Sequence, residues 1–195
     1  MARRKLKTNI FFDKTNNKFF ALILAIAIAI AVYLKEEKAW ISTQESLGKV
    51  NVCFTPPSGC GKLIVDIINH AHNTIYIQAY SFTSKEIFTA LDRATKRGVK
   101  VQLLLDKSQI LAPYSIYKYA LQTSIDVSID ERIRGIAHNK IIIVDDLYVI
   151  TGSYNFTSGA EKRNAENVIL IKDEKIANSY KENWFLRKVH SLNSN

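Results

Sequence analysis

A histidine, a lysine two residues on, an apolar run, two aspartates and then Gly-Ser-x-Asn fall within one short stretch, HNKIIIVDDLYVITGSYN from His138 to Asn155. Side chains on an extended strand alternate between faces, so His138 and Lys140 project to the same side. Ser153 and Asn155 stand in the same relation on the next apolar segment. A turn over Asp145 to Leu147 would fold the two segments into a hairpin and bring both pairs to one end. An imidazole, an ammonium, a hydroxyl and an amide then converge. That set suits a phosphoryl group, for which it supplies a nucleophile or acid, a fixed positive charge and neutral donors to the non-bridging oxygens. Taken singly, such a histidine or lysine is an ordinary solvated residue. The joint spacing is what points to chemistry.

HxK, four residues, Asp, six residues and GSxN resembles the signature of the phospholipase D superfamily, with its fixed positions filled by His138, Lys140, Asp145, Gly152, Ser153 and Asn155. The resemblance covers most of residues 50–190. CFTPP, YSFTSKEIFTAL, KRGVKVQLLLD and EKRNAENVILI followed by a Trp-bearing helix are similar to the small, single-motif bacterial members, which include endonucleases and short secreted phospholipases D. The fold this implies is α/β, an α-β-α sandwich around a central mixed sheet. Larger members carry two HxK motifs and this chain one, which implies a half-site completed in a homodimer about a two-fold axis. A carboxylate late in the family's chain orients the catalytic ring, a role the resemblance gives to Glu166, whereas a glutamate at a strand start is otherwise a solvated residue.

Chemistry gives a separate reason for two copies. Displacement at a phosphodiester needs a nucleophile on one side of phosphorus and an acid for the leaving oxygen on the other, and one imidazole cannot serve both positions. With two His138 rings, the neutral one attacks to form a phosphohistidine, and the protonated one releases the alcohol and then activates water. Their protonation states must differ, which makes the pH dependence bell-shaped. Lys140, Ser153 and Asn155 would stabilise the phosphoryl oxygens, with no cofactor or metal required. Asp145 lies five residues beyond Lys140 and so points to the opposite face, which suits a turn or hydrogen-bonding role better than direct chemistry.

The elements that must position these groups alternate at short intervals. Asn51–Phe54 reads as a strand, Ser58–Ala71 as a helix and Thr74–Tyr80 as a strand. Thr83 and Glu86 form a capping box for a helix with an Ile87, Leu91, Ala94 stripe, and Gly98 ends it. Val99–Leu105 is a third strand. The resulting β-α-β-α-β order calls for parallel pairing with right-handed crossovers. Pro113–Gln122 reads as a helix whose tyrosines serve packing or an interface, and Ser124–Ile136 contains another strand. The loop Glu131–Gly135 comes next, with Arg132 and Arg134 placed to grip a phosphodiester at the rim of the site. Val168–Ile171 is a last strand. Asp173–Val189 is a helix burying Ile176, Tyr180 and Trp184.

Ahead of this domain lie a basic tail, residues 1–18, an uncharged apolar run, Phe19–Leu34, and a linker, residues 35–49. As a helix the run would span roughly 24 Å, short of a hydrocarbon core of about 30 Å but extendable by snorkelling lysines. The positive-inside rule keeps the tail in the cytoplasm and exports the domain beyond the apolar run, into the periplasm or outside the cell. Cleavage near Ala29 and Ala31 as a signal peptide and retention as an inner-membrane anchor both fit.

The net charge of +9 belongs mostly to that region. Residues 1–35 hold 7 basic and 1 acidic side chains, so the remaining 20 basic and 17 acidic residues leave the domain at +3. Bulk charge is therefore weak support for nucleic-acid binding. Cys53 and Cys60 flank FTPPSG and, in an exported domain, suit a disulfide. Zinc held with His70 and His72 is the alternative, though the spacing matches no common finger.

The expectation is a metal-independent phosphodiesterase, in the first place a nonspecific nuclease on DNA or RNA, with a phospholipase D as the alternative. The mild basicity and rim arginines favour a nonspecific nuclease on DNA or RNA; export to the membrane favours a phospholipase D acting on phosphatidylcholine-type headgroups. A catalytically inactive, membrane-tethered binding protein is a third reading, against which the intact motif argues.

Overall fold

The computed structural model describes residues 21–34, 50–57, 59–131, 133–189 and 192–193. The basic tail, the linker, Phe19, Phe20, Ser58 and Arg132 lie outside the described residues. The chain divides into two units, residues 1–48 and 49–195. In the first, residues 21–34 are helical. Among the described residues no helix is long and apolar enough to cross a membrane.

The second unit runs β1 (Val50–Thr55), α1 (Cys60–Asn69), β2 (Thr74–Ala79), α2 (Lys85–Lys96), β3 (Lys100–Asp106), a 3-10 turn (Lys107–Ile110), α3 (Tyr117–Ala120), β4 (Asp126–Asp130), β5 (Lys140–Val144), β6 (Tyr148–Gly152), α4 (Ser158–Lys162), β7 (Glu166–Lys172), α5 (Glu174–Val189) and β8 (Leu192–Asn193). The strands form one mixed sheet in the order β1-β7-β6-β5-β2-β3-β4-β8. Period-two alternation divides their apolar side chains between two layers. Ile75, Ile77, Leu103, Leu105, Ile142 and Val144 pack under Ile64 and Ile68 of α1 and Ile87, Leu91 and Ala94 of α2. Tyr76, Leu104, Ile141, Ile143 and Val149 pack on the opposite face against Ala177 and Trp184 of α5. The α-β-α sandwich and mixed sheet are therefore those expected.

Among the described strands, parallel pairing runs across β2, β3 and β4. The antiparallel hairpin β5-β6 and the strand β7 insert between β2 and β1, sending β1 to the sheet edge. The site segment thereby lies at the centre of the sheet. Three local expectations also change. Ser84, rather than Thr83, caps α2: its hydroxyl accepts from the Ile87 amide and donates to Glu86. Residues 113–122 give only the single turn α3, because Tyr114 takes a left-handed backbone (φ 65°) and the Tyr117 amide turns back to the Ser115 hydroxyl. On α5 Ala177 and Trp184 are buried and Tyr180 is half-buried against them, whereas Ile176 is exposed.

Cys53 and Cys60 are joined in a disulfide with a Cα–Cα separation of 5.6 Å. That bond removes both thiolates from any zinc site, and the His70 ring instead meets the Asp66 carbonyl. The bridge ties β1 to the start of α1. Thr55 adds hydrogen bonds to the carbonyls of Ala160 and Asn164, anchoring the same corner to α4.

Candidate active site

The register Ala79↔Lys140 and the pairing of Gly152 with Val168 bring the start of β5, the end of β6 and the start of β7 to one edge of the sheet. Parallel strands β2 and β3 end at this edge, the position where open α/β sheets place ligands. The loop entering β5 is clamped on both sides of His138. Asp106, buried at the end of β3, accepts from the Ala137 amide at 2.7 Å, and the Tyr80 amide donates to the Asn139 carbonyl at 2.9 Å. His138 is thus presented by fixed backbone while its own side chain is exposed.

Lys140 is buried beneath it. Its Nζ lies 3.0 Å from Nδ1 and 3.1 Å from Nε2 of His138 and donates to the His138 carbonyl at 2.8 Å. A point equidistant from both ring nitrogens at that range cannot lie in the ring plane without striking a carbon, so the ammonium sits against the ring face. Tyr80 backs the imidazole with ring centroids 4.6 Å apart, and Lys140 stands 5.5 Å from the same tyrosine ring. Burial holds the Lys140 ammonium below the ordinary lysine range, opposed by the negative charge of Glu166.

Glu166 reaches this end of the sheet as the first residue of β7. Its oxygens accept from the Ser153 hydroxyl at 2.5 Å and the Asn164 amide at 3.0 Å, and no hydrogen bond links it to His138 among the described residues. Ser153 in turn accepts from the Asn167 backbone and side-chain amides. Asn155 buries its Oδ1 without a hydrogen-bond partner. A buried acceptor left open costs free energy in the resting protein, and the Oδ1 atoms of Asn51 and Asp146, away from this edge, share that condition. Gly152 makes the turn between β6 and Ser153: φ is 146°, and a Cβ there would lie 2.2 Å from the Asn167 carbonyl oxygen.

Asp145 stands elsewhere. Val144, Asp145, Asp146 and Leu147 form the hairpin turn, with positive φ at both aspartates and the Leu147 amide bonded to the Val144 carbonyl. These are the dihedrals of a type I′ turn, which aspartate tolerates. The Asp145 carboxylate accepts from the amides of His72, Asn73 and Thr74 at the far end of β5 from His138. The structure therefore does not gather it with the other motif residues. Arg134 is exposed in the loop ahead of His138, and its neighbour Arg132 lies outside the described residues.

Three positioning residues carried no local signal: Asp106, Tyr80 and Glu161. Glu161, within a segment that reads as a polar connection, accepts from the Gly59 and Gly61 amides at the start of α1 and from the Tyr154 hydroxyl. Burial and the Glu161 carboxylate hold the Tyr154 phenol well above its ordinary range. Long-range pairing made these contacts, and nothing in spacing foretells them. No trio of His, Cys, Asp or Glu side chains able to hold a metal converges among the described residues.

The family model described as "Cardiolipin synthase, PLD-like domain" matches residues 64–188. The chain is 45% identical over 197 residues to "Phospholipase D" of Rickettsia prowazekii (strain Madrid E), covering 90% of this chain and 96% of that protein. It is 28% identical over 127 residues to "Mitochondrial cardiolipin hydrolase" of Xenopus laevis, covering 65% of this chain and 60% of that one. Among solved structures it resembles a phospholipase D family member, Nuc from Salmonella typhimurium, with a TM-score of 0.71 and 36% identity over 75% of this chain and 97% of that one.

Proposed function

The chain belongs to the phospholipase D superfamily of phosphodiester hydrolases, and from that premise we propose that it is a metal-independent phospholipase D that works through a phosphohistidine at His138. The observation that carries the reading is the exposed His138 ring seated on the buried Lys140 ammonium, with Asn155 and the Ser153–Glu166 pair at the same sheet edge. His138 attacks phosphorus. Lys140 and the Asn155 and Ser153 side chains receive the non-bridging oxygens as charge builds on them. A second His138, from another copy of the chain, protonates the leaving alcohol and then activates water, which releases the phosphoryl group. The chain acts as a homodimer on this reading, exported and anchored through residues 19–34 where these are retained.

Phospholipid is preferred because the Rickettsia protein matched over nearly its whole length is named a phospholipase D. Nuclease activity on DNA or RNA is the second reading, favoured by the likeness to Nuc and by the rim arginine Arg134. The test incubates the full chain in EDTA with phosphatidylcholine vesicles, plasmid DNA and RNA, beside His138→Ala. Choline release that persists in EDTA and vanishes in the variant is expected. Nicking alone moves the assignment to a nuclease, and no cleavage of any substrate refutes both.

A further inference from the structure

The 3-10 turn after β3 leads into a tip, Leu111-Ala112-Pro113-Tyr114, at the same sheet edge as His138. Leu111 is 90% exposed and Tyr114 89%, the highest values of any large hydrophobic side chain among the described residues. The segment that carries them is firmly held. Asp106 accepts from the Ser108 amide, Gln109 accepts from the Phe82 amide, and the Ile116 amide returns to the Phe82 carbonyl. Tyr114 adopts φ 65°, a backbone that an aromatic residue rarely takes. Such conformations persist only where surrounding contacts impose them, and they cluster at functional positions.

The tip is joined to the site. Lys107 Nζ donates to the Ile133 carbonyl, and Asp106 holds the Ala137 amide, so this loop and the one carrying Arg134, exposed Ile136 and His138 form a continuous rim. Its charge is one-sided. Residues 107–125 contain Lys107 and Lys118 and no acidic side chain, and Arg134 is exposed beside them, with the half-buried Glu131 as the counter-charge.

We infer that Leu111 and Tyr114 dock the domain on an anionic phospholipid surface, with the basic rim against the headgroups and His138 facing the ester layer. A leucine and a tyrosine at a basic edge match what an interface of acyl chains and anionic headgroups selects, whereas stacking on a nucleobase would give the leucine no role. The inference rests on the phospholipid reading of the site, and the two fail separately in one experiment.

Cys53 and Cys60 are paired, so Leu111→Cys in the full chain takes a single environment-sensitive fluorophore, with Lys62→Cys on α1 as the control position. Vesicles of phosphatidylglycerol and phosphatidylcholine should raise emission at position 111 several-fold, and spin-labelled lipid should quench it, with little change at position 62. Pure phosphatidylcholine or added salt should weaken the response. In parallel, Leu111→Ser/Tyr114→Ser should lower hydrolysis of anionic vesicles about tenfold and leave hydrolysis of bis(p-nitrophenyl) phosphate within about twofold. A label indifferent to vesicles overturns the inference even where lipid is cleaved. So does a label that responds to single-stranded DNA, or to protein concentration without lipid. A label that inserts in a protein unable to cleave lipid upholds the surface and refutes the substrate reading.

Discussion

The two ends of β5 treat polar side chains in opposite ways. At the Asp145 end both oxygens of the Asp145 carboxylate have backbone donors, three amides in all, and the neighbouring Asp146 accepts from Lys181 of α5 at 2.5 Å through Oδ2 while its buried Oδ1 has no hydrogen-bond partner. At the His138 end an ammonium is buried against an imidazole face and Asn155 Oδ1 has no partner. One end ties its carboxylates to the chain's own amides and to a lysine; the other leaves an imidazole exposed over a buried ammonium. A single signature therefore mixes architecture with chemistry, and the spacing between Lys140 and Asp145 is one strand length.

Substitutions at the two ends should separate activity from stability. His138→Ala should lower kcat by about 10⁴-fold or more, since it removes the nucleophile, while Tm stays within about 2 °C because the ring is exposed. Steady-state kinetics and calorimetry on the same preparation check both. Lys140→Met should cost about 10²–10³-fold in kcat and yet raise Tm by a few degrees. The sign comes from burial: with the folded pKa below that of the unfolded chain, folding opposes the charged form, and methionine removes that opposition. Lys140 should also lose its proton at lower pH than an ordinary lysine, and Glu166→Gln, by removing the opposing charge, should lower that titration further, as read by NMR of the labelled lysine side chain.

Asp145→Ala should reverse the pattern, losing about 2 kcal/mol in urea unfolding while kcat per folded molecule changes less than about threefold. A large kcat loss there would break the division between the two ends. Asp106→Asn tests the boundary between them. Burial raises the Asp106 pKa, but hydrogen bonds from Ser108 and Ala137, with the charge of Lys107, outweigh it and hold the carboxyl below its ordinary range. Its stabilisation is therefore complete above the unfolded carboxylate value of about 3.9 and lost as pH falls through the folded one. The variant should lose about 1–2 kcal/mol at pH 7, with the gap to wild type narrowing in acid.

The strand alternation that pairs His138 with Lys140 and turns Asp145 away is a local property, and it was legible in the sequence. So was the hairpin turn, because its aspartates tolerate the positive φ it requires. The resemblance named the sandwich and the mixed sheet. It was local order that misled: β1 and β2 are consecutive strands in the chain, yet three strands separate them. Glu166 reached the site through β6-β7 pairing but bonds to Ser153, where a contact with His138 was expected. Tyr80, Asp106 and Glu161 act through contacts between distant segments, which periodicity cannot register. Residues 113–122 had helical composition, but Tyr114 and Ser115 turned the chain after the 3-10 turn.

The most direct test of the His138 end as the seat of chemistry is the stereochemical course at phosphorus, traced with a chiral phosphorothioate diester that the full chain cleaves. Attack by His138 and then by water comprises two in-line displacements, each inverting the centre. Net retention is expected, and net inversion would show that water attacks phosphorus directly and that no phosphohistidine forms.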